Sequence, residues 1–387
     1  MRKVVVFVGG GASSLVNCIL LKKEMPSFDV IIVEKDKKLG KKLSATGGGK
    51  SNIAPLKDNP YVYNPNSINM VESLYKEYPL DVYLDLLSSI GLESKTIKDY
   101  GYYPIHESAP QVVKNLYHQI NKLGIKVIYD EFVDYQIKDK HIIINLIDNT
   151  IEADYMVLAT GGLNENIKHI LENHNIKTSK IRAGLCPIKV KEDVSTLFGC
   201  RFEGIVSLLY KNNIIKQYYG EIQFKKDGLS GIPVLNLSSE ISRRDNLKDN
   251  DYQISIGLSN DYKPNLIGKS VEEALYMIFK EEYADYLINK HGFNKKDIID
   301  VDKETKLYKV IHNEKFTVKS LYDISSSQVT VGGVILDEIN QNFALKNNKN
   351  IYVIGELVDV DGICGGYNLR FAITSGIKAI SNIINKC

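Results

Sequence analysis

Tryptophan is absent from the chain, and its five cysteines form no C-x-x-C pair. A redox dithiol and a zinc knuckle both need that spacing, so both are excluded and no metal site is predicted. The chain also lacks an excess of charge of either sign, because 49 basic and 47 acidic residues leave a net charge of only +2. A balance of this kind gives no basic surface for nucleic acid or an anionic membrane. We therefore expect neither partner, and the oligomeric state stays open.

Long apolar runs are lacking too, since none approaches the roughly 20 residues that cross a bilayer. The opening residues, MRKVVVFVGGG, enter a strand pattern at once and leave no room for a signal peptide. We therefore expect a cytoplasmic protein. The hydrophobic share of 44% and the length of 387 residues are typical of a globular chain with two or three lobes.

The first half of the sequence has the pattern of an α/β domain. Apolar runs over residues 4–8 and 30–34 flank a helical segment from Ala12 to Lys23, which predicts a parallel strand pair. Helical periodicity follows over residues 70–90 and 110–123, and strand-like runs follow over 126–137, 141–147 and 155–162. Their spacing predicts a meander that returns to the sheet.

The second half changes character and then changes back. Residues 200–224 and 252–258 alternate like antiparallel strands, and 270–312 are polar and helical. Strand patterns return over 325–336 and 350–362, before a final helix from about Asn368. The predicted domains are therefore 1–186 and 319–387, which form one nucleotide-binding lobe, and an inserted β-rich and helical domain over 187–318.

The turn after the first strand is close to the dinucleotide fingerprint G-x-G-x-x-G. Gly9 and Gly11 match it, and Ser14 stands where the third glycine belongs. The glycines permit a tight turn and close approach to a pyrophosphate, and the helix N-terminus favours the anion. Glu34 follows Ser14 by 20 residues, the spacing of a carboxylate that holds an adenosine ribose. The alternative is an ordinary glycine turn after a buried strand.

Three further glycine motifs follow. The glycines of GKKLSATGGGKSN (40–52) either offer backbone N–H groups and close access to a flat ring or belong to a flexible loop. Its residues Lys41 and Lys42 either neutralise a pyrophosphate or are solvated at the surface. LATGG (158–162) ends a buried strand. In GELVDVDGICGGYNLRFAITSG (355–376), a helix N-terminus can face the negative charge of a reduced flavin, or a glycine loop caps a core helix.

Together these motifs resemble the YhiN/BaiN-like flavoproteins, also described as the aminoacetone-oxidase family of FAD-binding proteins. The resemblance runs through GGGAS, VEK, LGKKLSATGGGKSN, LATGG, GEIQFKKDGLSGIPVLNLS, VTVGGV and GELVDVDGICGGYNL, nearly the whole chain. It implies a Rossmann-like FAD-binding domain of the two-dinucleotide-binding-domain type, interrupted by a β-rich and helical domain. It also implies noncovalent FAD, with NAD(P)H as a candidate electron donor.

The resemblance assigns cofactor roles by motif. Gly9, Gly11 and the run Ala12 to Ser14 would lie at the pyrophosphate, Glu34 at the ribose, and the backbone of Phe132 at the adenine. Glu356 would hold the ribityl chain, and Gly365 to Leu369 would cover the pyrimidine end of the flavin. The full set is Gly9, Gly11, Ala12, Ser13, Ser14, Glu34, Lys35, Lys41, Lys42, Thr46, Gly47, Gly48, Gly49, Asn52, Phe132, Ala159, Thr160, Gly161, Gly355, Glu356, Gly365, Gly366, Tyr367, Asn368 and Leu369.

Three departures from the family concern chemistry, so no catalytic residue is assigned. The glycine-rich segment that the family has after A-T-G-G is replaced by LNENIKHILENHNIKTSKIRAGLCPI (163–188). Lys225, Lys226 and Asp227 precede GLSG where the family has a threonine and a histidine or acid. His106 stands where a serine is common, as a structural residue or an acid–base group.

The leading hypothesis is an FAD-dependent reductase of a conjugated C=C bond in a small steroid-like or bile-acid-like ketone. Arg182 and the loop Gly228 to Gly231 are candidate pocket linings. An amine oxidase of the aminoacetone type, and a flavin-binding protein with little catalysis, are the alternatives. A tRNA-modifying flavoprotein is less expected, because the charge is nearly balanced.

Overall fold

A computed structural model describes residues 2–97, 100–244 and 252–387. Its strands are β1 (Val4–Val8), β2 (Asp29–Glu34), β3 (Ser94–Ile97), β4 (Gly101–Pro104), β5 (Lys126–Tyr129), β6 (Phe132–Lys138), β7 (His141–Leu146), β8 (Thr150–Ala153), β9 (Tyr155–Leu158), β10 (Arg182–Gly184), β11 (Ile188–Val190), β12 (Arg201–Tyr210), β13 (Asn213–Lys225), β14 (Gly228–Ser230), β15 (Tyr252–Gly257), β16 (Glu314–Leu321), β17 (Val329–Val331) and β18 (Ile351–Val353). Its helices are α1 (Ala12–Glu24), α2 (Ile68–Glu77), α3 (Leu80–Ser89), α4 (Ala109–Lys122), α5 (Glu165–Asn173), α6 (Ile232–Ser242), α7 (Val271–Tyr276), α8 (Glu281–His291), α9 (Val301–His312) and α10 (Tyr367–Asn385).

Contacts between residues divide the chain into two compact units. The first comprises Met1–Ile181 with Thr330–Cys387, and the second comprises Arg182–Val329. The predicted domain boundaries, which give the segments 1–186, 187–318 and 319–387, stay a prediction about which parts of the chain fold independently.

A five-stranded parallel sheet forms the centre of the first unit, in the order β18-β9-β1-β2-β5. Its strands are short and almost wholly apolar, as in VVVFV and YMVL, and most of their side chains are buried. Continuous apolar runs of this kind are typical of parallel strands that are covered on both faces. The sheet therefore has the parallel architecture that the opening strand–helix–strand pattern predicts.

Four of these strands run into predicted cofactor motifs. The glycine turn follows β1, Glu34 ends β2, ATGG follows β9, and Gly355-Glu356 follows β18. Because the strands are parallel and adjacent, their carboxyl ends lie at one edge of the sheet. Ligands of open α/β sheets bind at that edge, so the topology gathers the motifs where a dinucleotide is expected.

Helices α1 and α10 pack against each other. Asn17 of α1 donates through Nδ2 to the carbonyl oxygens of Ser13 (2.8 Å) and of Ile373 in α10 (3.1 Å). Any side chain at Gly376 would collide with that amide, so a glycine is needed at the crossing. The contact fixes the start of α10 relative to the start of α1.

Two patterns from the sequence resolve into finer elements. The helical stretch 70–90 is two helices, because Pro79 lacks an N–H and disfavours helical backbone at Tyr78. The stretch 126–137 contains β5, which pairs with β2 in the parallel sheet, and β6, which joins β7 and β8 in an antiparallel meander. The chain then re-enters the parallel sheet through β9.

The second unit contains a closed antiparallel barrel in the order β11-β14-β13-β12-β15-β16. Alternate residues of its strands, among them Val206, Leu208, Ile254 and Phe316, are fully buried and fill a core of their own. The polar region 270–312 supplies α7, α8 and α9. This unit is β-rich and helical, in agreement with the predicted fold class.

Candidate cofactor site

The turn between β1 and α1 is shaped to approach a ligand. Gly9 has φ +104°, and a side chain there would collide with the carbonyl oxygen of Ala159 at the end of β9. A Cβ on Gly11, by contrast, would meet no atom of the described residues within 4 Å. Gly11 caps α1 without a side-chain hydrogen bond, and the first turn of α1 contains no acid. The N–H groups of this helix end are therefore available to an anion.

Ser14 occupies the position of the missing third glycine. It is fully buried, and within the described part of the chain its Oγ has no hydrogen-bond partner. A buried hydroxyl without a partner is costly unless a ligand or water satisfies it. The residue therefore fits beside a polar ligand as a small side chain that does not obstruct the helix end.

Glu34 reaches from the end of β2 to the glycine turn. Its carboxylate accepts the N–H of Gly10 at 2.7 Å and that of Asp36 at 2.8 Å. A carboxylate offers about four acceptor positions, so two remain for ribose hydroxyls. The Glu34 carbonyl accepts the N–H of Asp130 at 3.0 Å, which brings the start of β6 at Phe132 to the same region.

The lysines of the second motif separate. Lys42 Nζ lies 2.8 Å from both carboxylate oxygens of Glu356, which also accepts the N–H of Thr330 at 2.8 Å. Lys35 and Lys41 are exposed, and Lys41 pairs with Asp36 at 3.3 Å. All three lysines are exposed, and the structure joins only Lys42 to Glu356.

The triple-glycine segment lies at the end of a short 3₁₀ stretch, residues 43–49, that packs against α4. Backbone at Thr46, Gly47 and Gly48 departs from the 3₁₀ geometry of residues 43–49. Side chains on Gly48 and Gly49 would meet no described atom within 4 Å. These glycines therefore leave a face that a flat ring can approach closely.

Asn52 connects this segment to α10. Its Nδ2 donates to the Tyr100 carbonyl at 2.7 Å, whereas its buried Oδ1 has no partner among the residues described. Gly366, at φ +90°, would place a Cβ 2.6 Å from that oxygen. The orphaned acceptor therefore lies against the backbone of Gly366, where this segment meets the start of α10.

The ends of β9 and β18 complete the sheet edge. Thr160 Oγ1 is buried and has no partner within the described ranges, and a side chain on Gly161 would meet no described atom within 4 Å. Gly355 donates its N–H to Ser375 Oγ at 2.9 Å, and a Cβ on it would lie 3.5 Å from Ser13 Cβ. Gly355 is therefore next to the first turn of α1.

The loop before α10 is held by its own side chains. Asn368 Oδ1 accepts the Gly362 N–H at 2.8 Å, and its Nδ2 donates to the Gly362 carbonyl at 2.9 Å. Burial raises the pKa of Cys364 to about 12, so this thiol stays protonated at neutral pH. The N–H groups of Gly365 to Leu369, rather than the Asn368 amide or a thiolate, are what the loop offers a ligand.

These observations fit FAD. An open helix N-terminus, a carboxylate with spare acceptor positions, three orphaned buried polar atoms and four open glycine faces meet the needs of a pyrophosphate, a ribose and a flavin ring. The fold and this edge of the sheet define a flavoprotein of the Rossmann type.

The sequence model of the HI0933-like protein Rossmann domain matches residues 3–382, and the chain belongs to that family. It is 24% identical to a 3-dehydro-bile acid delta(4,6)-reductase of Clostridium scindens, over 96% of this chain and 97% of the relative. It is 25% identical to a ribosomal RNA dihydrouridine synthase of Haemophilus influenzae, over 98% of each chain.

Solved structures give the same fold. The 3-ketosteroid delta1-dehydrogenase of Sterolibacterium denitrificans superposes with a TM-score of 0.56 at 10% identity, over 100% of both chains. The fumarate reductase subunit FrdA of Escherichia coli superposes with a TM-score of 0.51 at 12% identity, over 100% of this chain and 70% of that one.

The protein is therefore an FAD-dependent oxidoreductase, which confirms the family, the fold class and FAD as predicted. No helix in the described residues is long and apolar enough to cross a membrane. The individual site residues and NAD(P)H as electron donor stay predictions.

Sequence reasoning missed several residues of this region. Thr330 fixes Glu356, and Gly10 fixes Glu34, each through a backbone N–H that no side-chain motif reveals.

Two residues at which the sequence departs from the family have local partners. His106 is exposed, and its Nδ1 accepts the Ser108 N–H just before α4. In the second unit, Asp227 before GLSG accepts a hydrogen bond from Tyr322 and lies 3.4 Å from Lys189.

Proposed function

We propose that the protein reduces a C=C bond conjugated to a carbonyl group, with NAD(P)H as the source of electrons. The net reaction takes NAD(P)H, a proton and the unsaturated carbonyl compound, and gives NAD(P)⁺ and the saturated compound. When bound, FAD supplies the hydride-transfer chemistry of flavin N5, for which the carbon β to the carbonyl is the natural acceptor.

The observation that carries this proposal is what two relatives have in common. One is named for reducing double bonds of a bile acid that is oxidised at position 3, and the other for forming dihydrouridine in ribosomal RNA. Each name describes saturation of a double bond next to a carbonyl, in a steroid and in a uracil ring. The substrates differ, whereas the bond that changes is of one kind.

The residues of this chain would bind and orient the cofactor. The N–H groups at the start of α1 would hold the pyrophosphate, Glu34 the adenosine ribose, and Glu356, paired with Lys42, the ribityl chain. Asn52 Oδ1 would accept a ring N–H. The N–H groups that begin α10 would stabilise negative charge at the pyrimidine end.

A small-molecule substrate, steroid-like or bile-acid-like, is the proposed class. In its support, the chain has no overall excess of positive charge, with 49 basic and 47 acidic residues, of the kind that strengthens RNA binding. NAD(P)H would dock transiently at the flavin, since the sequence has no second G-x-G-x-x-G.

The test is an anaerobic reoxidation experiment on the holoprotein. The flavin is first reduced with NADPH or NADH, or with dithionite if neither acts, and absorbance is followed after addition of a 3-oxo-Δ4 steroid, a uridine-containing RNA or oxygen. The proposal predicts reoxidation by the steroid at least about tenfold faster than that of free reduced flavin, which is a barrier change of about 1.4 kcal/mol.

Each other outcome assigns a different function. Turnover of the RNA alone would place the chain with the dihydrouridine synthases, and fast reaction with oxygen alone would indicate an oxidase. Reoxidation no faster than that of free flavin with every acceptor would indicate a flavin-binding protein. A protein that neither contains nor takes up FAD would overturn the cofactor assignment itself.

A further inference from the structure

Arg370 is a fully buried cation in the first turns of α10. Its Nε and one terminal nitrogen donate to the two oxygens of Asp58, at 3.1 and 3.0 Å. The same terminal nitrogen donates to the Tyr78 carbonyl at 2.5 Å, and the other contacts Thr374 Oγ1. A buried guanidinium needs such complete pairing, because an unpaired charge in the interior is very costly.

The guanidinium lies between two aromatic rings. Its central carbon is 4.4 Å from the ring centre of Tyr75 and 4.3 Å from that of Tyr83, within cation–π range. The Tyr83 hydroxyl is buried and donates to the Ile53 carbonyl at 2.9 Å. Ile53 directly follows Asn52, so one face of the cation supports the segment that carries the orphaned acceptor.

The other face of the guanidinium is connected to the start of α10 through Tyr75 and Tyr63. The Tyr75 hydroxyl contacts that of Tyr63, which lies 2.7 Å from the carbonyl oxygen of Tyr367 and donates to it. Burial raises the pKa of both phenols well above the ordinary value, so both hydroxyls remain protonated donors. Tyr367 is the first residue of α10.

Arg370 thus connects the two segments that line the pyrimidine end of the proposed flavin site. The Asp58–Arg370 pair joins positions 312 residues apart in sequence, and nothing in the helix pattern of α10 requires it. A cation near a helix N-terminus is repelled by the positive end of the helix dipole, so this position in α10 does not by itself favour an arginine.

We propose that the Arg370–Asp58 pair is a positioning device that sets the reduction potential of the bound flavin. The arginine holds the Asn52 segment and the start of α10 at the ring, and its charge, balanced by Asp58, acts through a low-dielectric interior. The proposal rests on the proposed FAD site. It requires that the two partners shift the potential in opposite directions.

The test compares three variants of the full-length holoprotein: Arg370→Gln, Asp58→Asn and the double variant. The dissociation constant of oxidised FAD and the midpoint potential of the bound flavin are measured for each. Arg370→Gln leaves the Asp58 charge uncompensated and lowers the ratio of the affinity for reduced FAD to that for oxidised FAD about tenfold. This corresponds to a fall of about 30 mV in the midpoint potential of the two-electron couple. Asp58→Asn shifts the potential upward, and the double variant returns towards the wild type.

A matched control lies further along α10. Lys378 pairs with Glu77 of α2 at 2.6 Å, so Lys378→Gln and Glu77→Gln remove a more exposed ion pair of the same helix without touching Tyr63, Tyr75 or Tyr83. Both should leave the potential unchanged. If Arg370→Gln fails to fold, the upward shift of the potential in Asp58→Asn and its reversal in the double variant still decide.

The outcomes separate this inference from the proposed site. Shifts of the same sign, or none, in Arg370→Gln and Asp58→Asn would overturn the role of the pair, provided that Gly11→Ala still weakens FAD binding. If Gly11→Ala and all three variants leave both FAD affinity and potential unchanged, the flavin does not bind at this edge of the sheet.

Discussion

Two glycines of the first turn perform different tasks although only one residue separates them. Gly9 has positive φ, and a side chain there would collide with the Ala159 carbonyl, so the fold itself requires glycine. Gly11 has φ −82°, which any residue adopts, and its face is open. The fold therefore does not require glycine at position 11, and the proposed FAD site accounts for the residue there.

This difference gives a paired prediction. Gly9→Ala should lower the free energy of unfolding by about 2–3 kcal/mol, because it combines backbone strain with a collision against β9. Gly11→Ala should change it by less than about 1 kcal/mol and yet weaken FAD binding at least about tenfold. Urea unfolding of the apoprotein and flavin fluorescence titration measure the two effects. Equal destabilisation by both variants would contradict the assignment.

Sequence reasoning proposed site residues that lie in local motifs and missed residues that act on this region through space. Gly9, Glu34 and Asn52 are identified by spacing or by a glycine-rich neighbourhood. Arg370 stands inside GGYNLR, yet its partner Asp58 is 312 positions away and follows no pattern. Pairing over such a distance depends on tertiary packing, which one sequence does not encode in readable form.

At the scale of elements, Asp130 joins the link before β6 to the turn between β7 and β8. Its carboxylate accepts the N–H of Glu131 at 2.8 Å, the N–H of Asp148 at 3.2 Å and the side-chain amide of Asn149 at 2.8 Å. The hydrogen bond from Asn149, with those backbone N–H groups, lowers the pKa of Asp130. The charged form therefore stabilises the meander.

The pH dependence follows from that direction. A carboxylate with a depressed pKa stabilises the fold above the unfolded pKa of about 4 and loses the contribution as pH falls through the folded pKa. Asp130→Asn should be less stable than the wild type at pH 7, and the gap should narrow at pH 3. Urea unfolding at the two pH values measures it, and a gap that is constant with pH would refute the role of the charge.

Elements with clear periodicity or a continuous apolar run were predictable, and most of the shortest strands were not. The β1–α1–β2 unit follows directly from its pattern, as does the strand character of 200–224. Strands β10, β11 and β14 have three residues each, too few to show alternation. The barrel closes through such short strands, so its topology could not be derived from the sequence.

At the scale of the molecule, the second unit interrupts the first at two neighbouring positions. The Ser179 N–H donates to the Gly333 carbonyl at 2.9 Å, and a side chain on Gly332 would collide with the Lys180 carbonyl oxygen. Both contacts lie in the first unit, so its chain ends are adjacent where the insertion leaves and returns. Its sheet and the proposed FAD residues all belong to that unit.

A deletion should therefore preserve the cofactor site. A chain in which residues 182–329 are replaced by a short Gly/Ser linker should bind one FAD and show a flavin spectrum, because linkers of this composition are flexible enough to join adjacent ends. The separate fragment 182–329 should unfold cooperatively, since it has its own buried core. Failure of the first chain to bind FAD while it remains folded would show that the inserted unit contributes to the site.

The position of β18 and α10 late in the chain has a consequence for biosynthesis. β18 pairs with β9, whose partner β1 is made more than 300 residues earlier, and α10 begins only at Tyr367. A ribosome must therefore release almost the whole chain before the pyrimidine end of the site can form, whereas the glycine turn and Glu34 are available from the start. Binding of the cofactor would then be a late event in maturation. Until that point the nascent sheet lacks one edge strand, and chaperone binding would protect the exposed edge.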